Sequence, residues 1–210
     1  MSLPLHEKLT MLIPPSLFYR RRILEEARSG EPELAMLSQL VPRGGTAIDV
    51  GANKGVFAYA LADIADHVIA FEPNPDYAFF ARWMLRGRAE VHGLALSDGT
   101  GRGTLYVPIS DQGIVLHLAG SLKGTHSQFR NIKTYDVEIR TLDDFHLVNV
   151  RFIKADVEGS EREVLHDQLS RAIGQRFCSK FCPALTKTLP PIRRRSAKVL
   201  TMTPSSCNAV

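Results

Sequence analysis

The stretch TAIDVGANKGVFAYALA, residues 46–62, decides the fold. Its first five residues are a short apolar run broken by one acid, the pattern of a strand covered on both faces. Gly51 and Gly55 follow, and from Gly55 to Ala65 the apolar and small residues read as a helix. The alternation then continues. HVIAFE (67–72) is a strand, DYAFFARWMLRG (76–87) a helix with Asp76 as its N-cap and Gly87 as its stop, and EVHGLAL (90–96) a strand. Strand and helix alternating at this spacing predict an α/β fold with a doubly wound, mostly parallel sheet.

Outward from this unit, SLFYRRRILEEARS (16–29) and EPELAMLSQLV (31–41) read as helices, the second with Pro32 in its first turn, and Gly44-Gly45 as a turn. Downstream, TLYVP (104–108) and TYDVEIR (134–140) read as strands, the second with Tyr135, Val137 and Ile139 on one face. The connection from 109 to 133 is too long for a plain loop and is expected to contact the substrate. TLDDF (141–145) begins a turn or short helix capped by Asp143 and Asp144, and RFIKADVEGSEREVLHDQ (151–168) is a strand running into a helix from about Gly159.

The chain has 210 residues, 44% hydrophobic and 23% charged, which fits an ordinary soluble domain with a real core. No apolar run approaches the roughly 18 residues of a membrane span. Glu7 and the Pro14-Pro15 break make the N-terminus a poor signal peptide, so the expected location is cytoplasmic. Eight of the 26 basic residues and none of the 22 acidic ones lie beyond Asp167. Residues 1–167 therefore hold 18 basic and 22 acidic residues, net −4, against +4 for the whole chain. All three cysteines (Cys178, Cys182, Cys207) also lie beyond Asp167.

A parallel sheet of this kind binds ligands beyond the carboxyl ends of its strands. Asp49 at such an end is costly unless a cation or hydrogen-bond donor meets it, and a cationic ligand would do so. The dinucleotide pattern G-x-G-x-x-G fails, because Asn53 and Val56 stand where its second and third glycines belong. What remains is D-x-G-x-x-x-G, followed by a second acid, Glu72, 21 residues after Gly51. A carboxylate there can accept hydrogen bonds from a ribose diol. Two acids beside a loop whose only charge is Lys54 suit a ligand without phosphates, such as S-adenosylmethionine.

The motifs AIDVGANKG, FEPNP, LSDG, TLDDF and FIKADVEGSEREVL occur in that order. Together they resemble the FkbM family of S-adenosylmethionine-dependent methyltransferases, over roughly residues 31–167. The resemblance implies a class I methyltransferase fold and O-methylation of a sugar, polyketide or other small molecule. It also implies that Asp49, Gly51, Asn53 and Gly55 form the cofactor loop, that Glu72 holds the ribose hydroxyls, and that Ser97 and Asp98 lie near the adenine. Asp156 would face the methionine part or the acceptor. Asp156 or Glu158 could take the acceptor proton, with His92, His117, His126 and His146 as alternative bases. Two carboxylates without a third ligand point away from a metal.

The expected organisation is N-terminal helices over 1–45, a cofactor-binding methyltransferase domain over 46–167, and a basic, atypical tail over 168–210. The tail has no acid and no clear alternating strand, and AKVLTM (197–202) is too weak to read as one. It reads as the product of a reading-frame change or truncation near residue 168, which would leave the fold without its usual C-terminal strands and the last parallel strand as an exposed edge. Alternative readings are a natural basic arm for nucleic acid or an anionic membrane, an inactive cofactor-binding remnant, and a nicotinamide-dependent oxidoreductase. The expected partner is a small-molecule or glycan acceptor rather than nucleic acid.

Overall fold

The structure, a computed structural model, describes residues 5–29, 31–109, 122, 131–156 and 198–201. The expected helix after Gly159, Glu158 itself, most of the 109–133 connection and nearly all of the tail lie outside the described residues. Three helices open the chain: α1 (Leu5–Thr10), α2 (Pro15–Ser29) and α3 (Glu33–Leu40). The alternating unit follows as β1 (Thr46–Val50), α4 (Val56–Leu61), β2 (His67–Phe71), α5 (Pro75–Met84) and β3 (Glu90–His92). After it come β4 (Ala95–Leu96), β5 (Gly101–Ile109), β6 (Asn131–Arg140), a 3-10 turn (Leu142–Phe145), β7 (Val150–Ala155) and β8 (Lys198–Thr201).

The main sheet runs β3-β2-β1-β7-β8. Its first three pairings are parallel, with Asp49 opposite Ala70 on one side and Lys154 on the other. The fold is thus the α/β class with a mostly parallel sheet. The chain steps outward from β1 through β2 to β3 and then returns to β7 on the far side of β1, which makes the β1–β7 boundary the switch point. β8 lies antiparallel on β7, with Ala155 opposite Lys198, so the edge expected to be bare carries a strand.

Two cores flank the sheet. Ala47, Val68, Ala70 and Phe152 join Tyr19, Leu34, Leu37, Phe57, Leu61 and Phe80 from the helices on one face. Ile48, Val50, Phe71 and Ile153 meet Leu94, Leu96 and Leu142 on the other. This explains why β1 is buried along its whole length and why its sequence does not alternate.

Two readings need correction. The run 90–96 is not one strand: β3 pairs with β2, whereas β4 pairs with β6 in a separate sheet of order β4-β6-β5. The break falls at Gly93, where a Cβ would stand 2.8 Å from Arg82 Nη2. The cap of α5 is Asn74, not Asp76: its side chain accepts from the Asp76 N–H, and Pro75 takes the first helical position. No helix among the described residues is long and apolar enough to cross a membrane.

Candidate functional site

The loop after β1 turns sharply. Gly51 (φ 74°), Asn53 (φ 53°) and Gly55 (φ 80°) all take left-handed conformations, which glycine and asparagine adopt most readily. At Gly55 a Cβ would stand 2.6 Å from Leu85 Cδ1 and 3.3 Å from the Tyr19 hydroxyl, so helix packing as well as the backbone requires glycine. The amides of the loop are already engaged. Gly51 and Ala52 N–H donate to the Phe71 carbonyl, Asn53 N–H donates to Glu72 Oε2 at 2.7 Å, and Gly55 N–H donates to the Ala52 carbonyl.

Glu72 joins the first two strand ends. Its Oε1 accepts from Asn74 N–H at 2.8 Å while Oε2 accepts from Asn53, so one carboxylate fixes the loops after β1 and β2 together. Burial pushes its pKa up to about 7, against the pull of the Asn74 and Asn53 amides and Lys154, with Asp49 adding to the rise. A carboxylate offers about four acceptor positions, so each oxygen retains capacity for a further donor.

The partner of Asp49 is not a ligand. Asp49 is fully buried, and Lys154 Nζ from β7 lies 3.0 Å from its Oδ1. The same ammonium donates to the Gly51 carbonyl at 3.0 Å, lies 3.9 Å from Asp156 Oδ2, and sits 5.0 Å from the Phe57 ring centroid. Neither Asp49 oxygen receives a well-aligned hydrogen bond. Burial alone would lower the Lys154 pKa; Asp49, Asp156 and Glu31 outweigh it and hold the ammonium above its ordinary value. Glu31, between α2 and α3, is itself raised by burial and by Asp156. Lys154 is the site residue that sequence reasoning did not assign to Asp49.

Lys54, the only charge on the loop, is drawn away from it. Its ammonium pairs with the buried Glu7 of α1 at 2.8 Å and lies over the Tyr77 ring, and its carbonyl accepts from the Tyr19 hydroxyl at 2.8 Å. Beside the β2 loop, Asp76 Oδ2 accepts from Tyr135 at 2.8 Å and Lys133 at 3.3 Å, which fastens β6 to the start of α5.

The structure therefore brings Asp49, Gly51, Asn53, Glu72 and Asp156 into one connected group at the carboxyl edge of β1, β2 and β7. Asp156 N–H donates to the Val50 carbonyl. Ser97 and Asp98 follow β4, in the second sheet. Ser97 N–H donates to the Arg140 carbonyl and its hydroxyl donates to Asp98 Oδ1 at 3.1 Å. His92 stacks on Phe71 and packs edge-on to Phe145, and His146 caps the 3-10 turn, so both serve packing and turn geometry. Among the described residues no three His, Cys, Asp or Glu side chains could hold a metal ion.

A mostly parallel sheet flanked by helices, with a glycine loop after its first strand, defines an α/β domain of the Rossmann-like class. The family model described as the methyltransferase FkbM domain matches residues 49–183, and the chain belongs to that family. Among solved structures, a methyltransferase FkbM from Methylobacillus flagellatus is 20% identical, with 71% of this chain and 39% of that one covered and a TM-score of 0.42. An rRNA methylase from Streptococcus thermophilus is 15% identical over 29% of this chain and 39% of its own, with a TM-score of 0.27. SMU.1697c from Streptococcus mutans, in complex with SAH, is 22% identical over 32% and 41%, with a TM-score of 0.29. The chain thus spans about two fifths of the length of these proteins. No curated protein matches it.

Proposed function

We infer that this chain binds S-adenosylmethionine across the ends of β1, β2 and β7 and serves O-methylation of a small molecule or sugar hydroxyl. The observation that carries the reading is Glu72, whose two oxygens hold the Asn53 and Asn74 amides and retain acceptor capacity for a ribose diol. The loop supports a ligand without a pyrophosphate. The amides of Gly51, Ala52, Asn53 and Gly55 are spent within the protein, and Lys54 is committed to Glu7. A phosphate group would meet neither a free cation nor an open cradle there.

When bound, the cofactor supplies an electrophilic methyl group on a sulfonium. The protein's part is to hold donor and acceptor in line. Asp49, buried with Oδ2 lacking a hydrogen-bond partner, has acceptor capacity left beside the loop. Asp156 has a side chain 40% exposed at the end of β7, where it can orient an acceptor hydroxyl and take its proton. Glu158 follows as a second acid for the same task, and Ser97 and Asp98 would flank the adenine.

Titration calorimetry with S-adenosylmethionine and with NAD separates this reading from an oxidoreductase. Binding of the former alone is expected, lost in Glu72→Ala; NAD binding without S-adenosylmethionine binding would overturn it. Release of S-adenosylhomocysteine with a panel of hydroxylated acceptors then separates an active enzyme from a remnant that only binds.

A further inference from the structure

The outward face of the first two helices plays no part in the site. On α2, Leu17, Arg20, Arg21, Leu24 and Arg28 recur at helical spacing, so they share one face, and all are exposed. The opposite face sends Tyr19, Ile23 and Ala27 to the core. On α1, Leu5, Lys8 and Leu9 are exposed while Glu7 turns inward to Lys54. The turn between the helices adds Leu12, 80% exposed, and Ile13. Trp83 adjoins this turn: its half-exposed indole donates to the Met11 carbonyl at 3.3 Å, and the Arg86 guanidinium lies 4.2 Å from its ring centroid.

Isolated exposed leucines are ordinary. Five fall in one terminal segment, interleaved in sequence with cations, and the turn between its helices adjoins the indole. Glu25 and Glu26 are engaged with Arg21 and Arg22. Among the described residues, Lys8, Arg20 and Arg28 make no ion pair.

We propose that this face docks on an anionic lipid surface. The leucines enter the boundary between headgroups and acyl chains, Lys8, Arg20 and Arg28 meet the lipid phosphates, and Trp83 sits at headgroup level. Charge decides the occupant. A second copy packed through the same face would bring its own uncompensated cations into the contact, and a neutral apolar partner would leave them unanswered. The inner side of the same helices holds the cofactor loop through Tyr19 and Glu7, so docking sets the site beside the lipid surface.

The chain has one tryptophan, and Trp83 therefore reports the event directly. Full-length protein mixed with phosphatidylcholine–phosphatidylglycerol vesicles is expected to blue-shift in fluorescence and to sediment with them, and to do neither with phosphatidylcholine alone or in high salt. Combining Lys8→Glu, Arg20→Glu and Arg28→Glu should lower partitioning on the order of a hundredfold. Combining Leu9→Ser, Leu12→Ser and Leu17→Ser should abolish the shift, with far-UV circular dichroism unchanged in both variants because every position is exposed. Three results would overturn the proposal. One is no binding to the anionic vesicles. Another is binding that survives both variants, which assigns it to the basic residues beyond Gln168. The third is self-association, lost in the leucine variant, without vesicle binding.

Discussion

Replacing Lys154 by Met tests the electrostatics beneath the loop that follows β1. The substitution keeps the side-chain length and removes the charge, leaving Asp49, fully buried, without its cation. Removing one partner of a buried ion pair costs about 3–5 kcal/mol, because the remaining charge is uncompensated. The Gly51 carbonyl also loses its donor, which adds about 1 kcal/mol. Against the roughly 5–15 kcal/mol that holds a domain folded, this is a large share. Urea unfolding of Lys154→Met at neutral pH measures the loss through the midpoint, provided the slope is shared with the parent. Adding Asp49→Leu removes the stranded charge and should restore most of the loss. A single variant within about 1 kcal/mol of the parent, or a double variant no better than the single, would refute the reasoning.

Glu72 gives a pH signature. Its folded pKa of about 7 lies above the ordinary carboxylate value, so the folded state binds the extra proton and this residue's contribution to stability falls as pH rises through that window. The ionised carboxylate is the better acceptor for ribose hydroxyls, so affinity for S-adenosylmethionine should rise from about pH 6 to about pH 8. Calorimetry should show that rise in the parent and a flat, weaker profile in Glu72→Gln. Gly55→Ala forces a left-handed alanine against Leu85 and should cost about 1–3 kcal/mol, read as a lowered thermal midpoint with Glu72 intact.

The strand–loop–helix unit was legible because its signals are local: a continuous apolar run, glycines where the backbone turns left-handed, and an acid at the next strand end. Asn74 was misjudged by two positions, although Pro75 marks the first helical residue and the cap directly before it. The division between β3 and β4 was hidden because EVHGLAL reads equally well as one strand; the break is defined by the change of pairing partner, β2 for β3 and β6 for β4. The partner of Asp49 was not legible. Lys154 stands opposite it only through the parallel register of β1 and β7, and no spacing in the sequence relates the two. The role of Glu7 was equally hidden, because α1 is six residues long and carries no periodic signal. For β8, the pairing with β7 rather than the residues of AKVLTM defines the strand.

The grip of Tyr19 and Glu7 on Lys54 bears on where the folded unit begins. Judged by composition, Thr46 looks like the start of an autonomous module with a detachable preamble. The hydroxyl of α2 and the carboxylate of α1 nevertheless set the pitch of the loop between β1 and α4. A shortened protein starting at Thr46 would lose that brace and the aromatic wall behind it, so α1 and α2 belong with the loop they support rather than to a dispensable preamble.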